Sequence, residues 1–290
     1  MISLADNSWL AKHVDDPQTR VIDPRPRVKY LQGHIPKAVN FALSEIFDKE
    51  TLELYSLERL VEVVGKMGVD MDSTVVLYDS YDGQSAAMLA WLLEYLGHPR
   101  VSILSNYLEG WAKNGGKILY RQVDNEPRSF NLKTGFPSRA NINQVRANEG
   151  EKLLDLRGGD EFQGKVSTEP RPGHIPGAIN LPWTELISND GSFLKSRPEL
   201  KSVFARTGLN ETDRIITYCS NGPRAALGYI ALQQSGFKNI RVYDGSFHQW
   251  ARRPDFPIQQ GNVSIDSSSK TAGVASPCII EGLPKLSNPR

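Results

Sequence analysis

The octapeptide GHIPKAVN at residues 33–40 recurs as GHIPGAIN at residues 173–180, with six of its eight positions unchanged. The two copies lie 140 residues apart, and at the same separation residues 60–79 align with residues 200–219. Chance could produce one shared octapeptide, but not several matching blocks in one register. The repeat therefore predicts a duplicated domain.

Each half of the chain alternates short apolar runs with helical segments. STVVLYD (73–79) and DRIITYC (213–219) are typical of buried parallel strands. QSAAMLAWLLEYLG (84–97) and RAALGYIALQQSG (224–236) read as helices, and each ends in glycine, a common helix stop. This order predicts the α/β class, with two similar domains that face each other. Each domain is expected to hold a mainly parallel sheet flanked by helices.

Polarity and turn residues place the domain boundaries. We predict one domain at residues 1–125 and a second at 139–258, with a polar, Gly- and Pro-punctuated linker region at 113–140. Residues 261–290 are rich in serine and show no periodicity, so they are predicted to form an irregular tail.

Composition restricts the class of protein. The 290 residues carry a net charge of +1, which favours neither nucleic acid nor an anionic membrane as a partner. Two cysteines, Cys219 and Cys278, cannot build a disulfide framework or a CxxC metal pair, so we expect no metal and no cofactor. The longest apolar stretches, such as residues 86–93, are too short to span a membrane, and the N-terminal stretch lacks signal-peptide features. We expect a cytoplasmic protein.

The segment YCSNGPR (218–224) places Cys219 between an apolar strand and a helix that should begin near Pro223 or Arg224. Ligands of open α/β sheets bind at this end of the strands. Backbone N–H groups of a tight loop and a helix N-terminus stabilise a thiolate there, and also an anion beside it. Gly222 permits the tight turn, and Arg224 adds a planar cationic fork. Cys219 is therefore a candidate nucleophile.

The alternative is that Cys219 is a small buried apolar residue, as cysteine often is. The polar loop around it is a poor place to bury a hydrophobic side chain. Asp79 stands at the matching position of the first half, so the position tolerates charge. These observations favour a reactive cysteine, whereas Cys278 in the tail is expected to be incidental.

The paired octapeptides, the DLR at 155–157, the YCSNGPR loop and the closing YDGSFHQW (243–250) together resemble the tandem-domain rhodanese-like sulfurtransferases. That family includes thiosulfate and 3-mercaptopyruvate sulfurtransferases, and the resemblance covers about residues 5–258. In the family, the second domain carries a six-residue loop that starts at the catalytic cysteine, matched here by residues 219–224. The first domain has lost its cysteine, as Asp79 indicates. The resemblance implies one inactive and one catalytic rhodanese-like domain.

The resemblance also implies transfer of sulfane sulfur from a donor such as thiosulfate, through a persulfide on Cys219, to cyanide or another thiophilic acceptor. Relatives that use mercaptopyruvate typically carry a different loop, of the CGSGVT type, and a second basic residue shortly after the D-x-R. Here Glu161 stands about where that base would lie, and it would repel a carboxylate if it pointed inward. Arg224 suits the sulfonate of thiosulfate. We therefore predict thiosulfate as donor, with 3-mercaptopyruvate as the alternative.

Six residues are predicted to contact substrate: Arg224, Ser220, Asn221, Gly222, Arg157 and Trp183. For Arg157 the alternative is a structural ion pair with Asp155, because Asp23 and Arg25 repeat the same pattern in the first half. For Trp183 the alternative is a place in the apolar core.

Two competing functions come from different classes. A cysteine phosphatase needs five residues between cysteine and arginine to enclose a phosphate, whereas four lie between Cys219 and Arg224 here. A binding or sulfur-relay module that serves a protein sulfur acceptor stays open as the second alternative.

Overall fold

Two parallel β-sheets organise the chain in the computed structural model, which describes residues 1–132 and 137–261. The first sheet contains β1 (Ser3–Ala5), β2 (Thr19–Asp23), β3 (Val39–Asn40), β4 (Thr74–Leu77) and β5 (Val101–Leu104), in the order β1-β5-β4-β2-β3. The second contains β6 (Lys152–Asp155), β7 (Ile179–Asn180), β8 (Ile215–Tyr218) and β9 (Ile240–Val242), in the order β7-β6-β8-β9. All of these strand pairs are parallel, which confirms the predicted fold class.

Helices connect the strands in both domains. The first domain contains α1 (Asn7–His13), α2 (Arg27–Leu31), α3 (Leu57–Lys66), α4 (Gln84–Tyr95), α5 (Tyr107–Lys113) and a 3-10 helix at Leu43–Ile46. The second contains α6 (Ile142–Ala147), α7 (Gly159–Gln163), α8 (Arg197–Arg206), α9 (Pro223–Ser235), α10 (Ser246–Ala251) and a 3-10 helix at Trp183–Glu185. Parallel strands need such crossovers, because a tight turn cannot return the chain to the same end of the sheet.

Local sequence signals fix the helix ends. Ser56 caps α3 by accepting the backbone N–H of Arg59, and Ser196 forms a capping box with Glu199 at the start of α8. Pro223 opens α9, as predicted, where its missing N–H costs no hydrogen bond. The edge strand β1 was not predicted, because three residues at the start of the chain carry too little pattern.

The repeated motifs of the second half meet in one buried network. Arg157 donates to Asp155 Oδ2 at 2.6 Å and to the carbonyl oxygen of Gly173 at 2.8 Å. The side-chain amide of Asn180 donates to the carbonyl oxygens of Asp155 and Arg157 at 3.1 and 2.9 Å. The D-x-R and GHIPGAIN motifs recur because each supplies the partners of the other.

Tyr218, at the end of β8, joins the same network through its hydroxyl, which accepts the backbone N–H of Ile175 at 3.3 Å. Tyr218 is fully buried, and burial raises its pKa well above the ordinary value. The first domain repeats the arrangement with Asp23, Arg25, Gly33, Ile35, Asn40 and Tyr78. The network thus ties three strand ends together in each domain.

The two domains share one core through α4 and α9, which form the most extensive helix contact of the molecule. Nine residues of each helix are buried and none is exposed, as expected for helices that are largely apolar on all sides. The Tyr229 hydroxyl of α9 donates to the buried carboxylate of Glu94 in α4 at 2.8 Å, and Gln233 Nε2 donates to it at 3.0 Å. The domains therefore pack face to face along these two helices.

Two loops reach across to the opposite domain. Glu53 in the first domain accepts a 2.6 Å hydrogen bond from Gln249 Nε2 in the second. In the reverse direction, the backbone N–H of Phe193 donates to the carbonyl oxygen of Ser105 at 2.6 Å, and the Tyr107 hydroxyl donates to the carbonyl oxygen of Phe193 at 3.2 Å. Each domain therefore supports the loops at the strand ends of the other domain.

The predicted linker region packs on the first domain over much of its length. Leu119 pairs with His34 in an antiparallel bridge, and Phe130 is buried. Residues 138–140 then run beside β9 and exchange backbone hydrogen bonds with Val242. The predicted tail, apart from Gly261, lies outside the described residues together with Cys278. Within residues 1–132 and 137–261, none of the helices has the length and apolarity needed to cross a membrane.

The shared core predicts that both domains unfold together. Tyr229→Phe leaves the buried carboxylate of Glu94 without one donor, so the free energy of unfolding should fall by about 1–3 kcal/mol. Urea unfolding followed by tryptophan fluorescence and by far-ultraviolet circular dichroism measures this. The exposed Tyr120→Phe is the control and should change little. Separate transitions for the two probes would contradict a shared core.

Candidate active site

Cys219 lies directly after β8, and α9 begins four residues later at Pro223. Its side chain has no exposed surface. The Tyr218–Asp155 register between β8 and β6 brings this strand end beside the D-x-R loop. The fold thus places Cys219, Arg157 and the start of α9 at the carboxyl ends of adjacent parallel strands, where α/β proteins bind ligands.

The sulfur atom of Cys219 sits in a cradle of donors. The backbone N–H of Gly222 donates to Sγ at 3.1 Å. The Ser246 hydroxyl, at the start of α10, lies 3.9 Å from Sγ, accepts the backbone N–H of Cys219 at 3.1 Å and donates to the carbonyl oxygen of Tyr243 at 2.8 Å. An N–H aimed at sulfur near a helix N-terminus stabilises the thiolate form.

Gly222 makes the cradle possible because its backbone takes φ of 111°, a conformation that side chains with a Cβ rarely adopt. A Cβ at this position would lie 3.1 Å from Met88 Cε of the first domain and 3.3 Å from the carbonyl oxygen of Asp244. The loop therefore closes against α4 of the first domain. Gly222 therefore allows the backbone of the loop to lie close to Met88 and Asp244.

Arg224 points toward the D-x-R side of the site and forms a two-pronged ion pair with Glu161. Its Nη1 donates to Oε2 at 2.7 Å and its Nη2 donates to Oε1 at 3.1 Å. Nη2 also donates to the Ser220 hydroxyl at 2.6 Å, and that hydroxyl lies 3.2 Å from Glu161 Oε1. Burial alone would lower the pKa of Arg224, but Glu161 and the nearby Cys219 raise it above the ordinary value. The site thus contains a permanently charged cation.

The remaining residues that were predicted to contact substrate lie in different environments. Ser220 joins the Arg224–Glu161 network, whereas Asn221 is exposed at the tip of the loop. Trp183 is half-buried against the large core cluster in its 3-10 helix. Arg157 is buried by its bonds to Asp155 and Gly173, and its guanidinium lies 4.1 Å from the ring centroid of Phe247. This geometry fits the structural alternative for Arg157, because its guanidinium nitrogens donate to Asp155 and Gly173 within the protein.

Sequence reasoning missed two contributions. The Ser246 hydroxyl contacts Cys219 from a loop 27 residues away, and nothing in YDGSFHQW distinguishes that serine from an ordinary helix start. The inward turn of Glu161 could be named from the sequence only as a possibility, since its direction depends on how α7 is docked.

Asp79 occupies the equivalent position in the first domain, directly after Tyr78 and β4. Its buried carboxylate accepts backbone N–H groups of Ser80, Ser85 and Ala86 at 2.8, 2.9 and 3.1 Å. The loop between Asp79 and α4 spans residues 80–83, one residue longer than the loop 220–222 of the second domain. Asp79 therefore places a carboxylate oxygen among helix N-terminal N–H groups.

That oxygen stands two bonds beyond the Cβ atom, as the outer sulfur of a cysteine persulfide would. The donors that correspond to those around Asp79 are the N–H groups of Ser220, Arg224 and Ala225, because α9 begins one residue earlier than α4 relative to its loop. The first domain thus shows that this point of the fold accommodates a hydrogen-bond acceptor two bonds beyond the Cβ atom.

Comparison with known proteins identifies the family. The Rhodanese-like domain model matches residues 6–114 and 140–253. The 3-mercaptopyruvate sulfurtransferase of Escherichia coli K12 is 32% identical over 271 residues, covering 87% of this chain and 95% of the relative. A putative thiosulfate sulfurtransferase of Haloferax volcanii is 30% identical over 281 residues, covering 89% and 96%. The crystal structure of SseA from Escherichia coli superimposes with a TM-score of 0.75 at 30% identity, covering 85% of this chain and 99% of that one.

The chain belongs to the rhodanese-like family, with two copies of the domain in tandem. Within that family it is a sulfurtransferase, as its relatives are. The relatives differ in donor, so the family by itself does not select one. Among the described residues, no group of His, Cys, Asp and Glu side chains is arranged to hold a metal ion.

Asp79 predicts a distinctive pH dependence. Burial raises its pKa to about 7, against the opposing effect of its three N–H donors. Because the folded state holds this proton more tightly than the unfolded state, stability should fall as the pH rises from about 4 to about 7. Asp79→Asn cannot ionise, so between those pH values wild type should lose on the order of 2–4 kcal/mol relative to the variant.

Urea unfolding midpoints at several pH values test this difference. The exposed Asp15→Asn is the control and should follow the wild-type profile. Parallel profiles for wild type and Asp79→Asn would show that Asp79 does not titrate in this range.

Proposed function

We propose that this sulfurtransferase takes sulfane sulfur from thiosulfate and carries it as a persulfide on Cys219 to cyanide or another thiophilic acceptor. The observation that carries the proposal is the cradle around Cys219 Sγ, with the Gly222 N–H at 3.1 Å and the Arg224 fork beside it. A cytoplasmic location and a protein acceptor remain predictions.

In the first step the Cys219 thiolate attacks the outer sulfur of thiosulfate. A new Sγ–S bond forms, the S–S bond of thiosulfate breaks, and sulfite leaves with the electron pair. The loop N–H groups and Arg224 stabilise the negative charge on both products, since they are fixed before the reaction begins. The persulfide then carries its charge on the outer sulfur, at the place where Asp79 holds a carboxylate oxygen in the first domain.

In the second step the acceptor attacks that outer sulfur. With cyanide, a carbon–sulfur bond forms, thiocyanate leaves, and the Cys219 thiolate is restored with the electron pair of the broken S–S bond. Neither step needs a cofactor, because each is a displacement at the transferred sulfur atom that requires no external oxidant or reductant.

Thiosulfate is favoured over 3-mercaptopyruvate by the charges around the loop. A sulfonate needs one planar cation, which Arg224 supplies. The carboxylate of mercaptopyruvate calls for a cation beyond the loop, and Glu161 stands in that direction instead. The name of the Escherichia coli relative favours mercaptopyruvate as the alternative donor. Steady-state rates with each donor, with cyanide as acceptor, distinguish the two.

Cys219 is expected to be the essential nucleophile. Cys219→Ser should abolish sulfur transfer, because serine cannot form the persulfide, while Cys278→Ser should retain near wild-type rates. Mass spectrometry of the intact protein after thiosulfate treatment should find one added sulfur atom, mapped to Cys219 by peptide analysis. A sulfur atom found on Cys278 would overturn the assignment.

Arg224 is expected to bind the sulfonate of the donor. Arg224→Ala should lower kcat/KM for thiosulfate about ten- to a hundredfold, as loss of a charge-assisted contact worth roughly 1.5–3 kcal/mol predicts. Arg224→Lys should recover only part, because lysine lacks the planar fork. Arg206→Ala, which breaks an exposed ion pair with Glu185, is the matched control. Near-normal kinetics for Arg224→Ala would remove Arg224 from donor binding.

A further inference from the structure

The fork of Arg224 is already occupied in this structure. Both terminal nitrogens contact the carboxylate of Glu161, at 2.7 and 3.1 Å, with one oxygen for each nitrogen. This is the geometry in which a guanidinium binds any planar or tetrahedral oxyanion. A donor that uses Arg224 therefore meets a carboxylate in the place where its own oxygens would bind.

Glu161 is held from two sides. Its Oε2 accepts the backbone N–H of Gly158 at 3.0 Å, at the start of α7, as well as Arg224 Nη1. Its Oε1 lies 3.2 Å from the Ser220 hydroxyl. Glu161 thus bridges the D-x-R loop and the Cys219 loop. In this closed arrangement Cys219 has no exposed surface, while 18% of the Arg224 side chain and 30% of the Glu161 side chain are accessible.

The opposite charges of Glu161 and Arg224 affect how a donor can bind. Burial alone would raise the pKa of Glu161, but the hydrogen bonds from Arg224 and Gly158 hold it below the ordinary value, so the carboxylate is ionised at neutral pH. Glu161 therefore cancels the charge that Arg224 would offer to a donor. It also repels an anion that approaches while the pair is intact.

We propose that Glu161 is a specificity-determining residue that competes internally with the donor for Arg224. The inference rests on the proposed function and deepens it by naming the donor class. A donor opens the site only if it carries an oxyanion group, next to its transferable sulfur, that can replace a carboxylate in the guanidinium fork. Sulfonates and carboxylates meet this requirement, and uncharged polysulfides do not. When sulfite leaves, Glu161 returns to Arg224 and closes the loop.

Kinetics of Glu161→Gln test the competition. The amide keeps the size of the side chain but loses its charge, so KM for thiosulfate should fall about five- to thirtyfold while kcat changes less than about threefold. KM for 3-mercaptopyruvate should fall as well, because its carboxylate meets the same negative charge. Glu161→Asp keeps the charge and should not lower KM. Glu211→Gln removes an exposed carboxylate paired with Lys201 and is the matched control.

Binding measured without turnover separates the competition from catalysis. In the unreactive Cys219→Ala background, isothermal titration with thiosulfate should give a Kd about tenfold lower when Glu161→Gln is added, and an unchanged Kd when Glu211→Gln is added. Thermal unfolding of each variant verifies that the fold is intact. A residue that only braced two loops would lower kcat or stability and would not tighten donor binding.

The outcomes are distinguishable from those of the proposed function. If wild type forms the Cys219 persulfide but Glu161→Gln leaves both KM and Kd unchanged, the role of Glu161 is overturned and the function stands. If wild type forms no persulfide but Glu161→Gln tightens thiosulfate binding, the competition is supported and thiosulfate is wrong as the natural donor. If neither effect is observed, both proposals fail.

Discussion

The buried ion pair between Asp155 and Arg157 is the constraint on which the second domain depends. It joins the end of β6 to the GHIPGAIN turn through Gly173, and the adjacent Tyr218 carries the network to the end of β8. Removing one partner of such a pair typically costs about 3–5 kcal/mol, because the other charge is left buried and unpaired. Cys219 follows Tyr218 directly, so the Asp155–Arg157 ion pair helps to fix the position of the Cys219 sulfur. The first domain retains the same pair at Asp23 and Arg25, although it has no cysteine to position.

The junction of the domains acts on the site from the other side. Since α4 and α9 pack against each other, Ala86 and Ala225 in their first turns already lie in the shared core. Met88 of α4 lies next to Gly222, and Glu53 bonds to Gln249 in α10, the helix that also supplies Ser246. The first domain therefore helps to shape the surroundings of the Cys219 loop. Its Asp79 places a carboxyl group at the helix N-terminus, where it accepts three backbone N–H groups, whereas Cys219 occupies the matching position of the second domain.

The charges at the Cys219 loop are balanced within the protein. The Gly222 N–H donates to the buried Cys219 sulfur, and Glu161 pairs with the cation of Arg224. Burying a charge costs free energy unless the charge is paired. In the proposed function, Glu161 pairs with Arg224 until a donor takes its place. The same pairing makes access to Cys219 depend on the chemistry of the donor rather than on an open path alone.

The duplication, the α/β class and the place of Cys219 follow from local patterns in the sequence: repeated octapeptides, apolar strands and a Gly-Pro helix start. The same patterns put Asp79 at the position of the first domain that matches Cys219. What the charged side chains do depends on tertiary packing. Arg157 was predicted to contact substrate and is spent on Asp155, and Glu161 turns inward to Arg224, 63 residues along the chain. Ser246 and Met88 reach the Cys219 loop from distant segments, and Glu53 reaches α10. Hydrogen bonds and ion pairs between such segments follow from how helices dock on the sheets, and no local pattern in the chain encodes those distances.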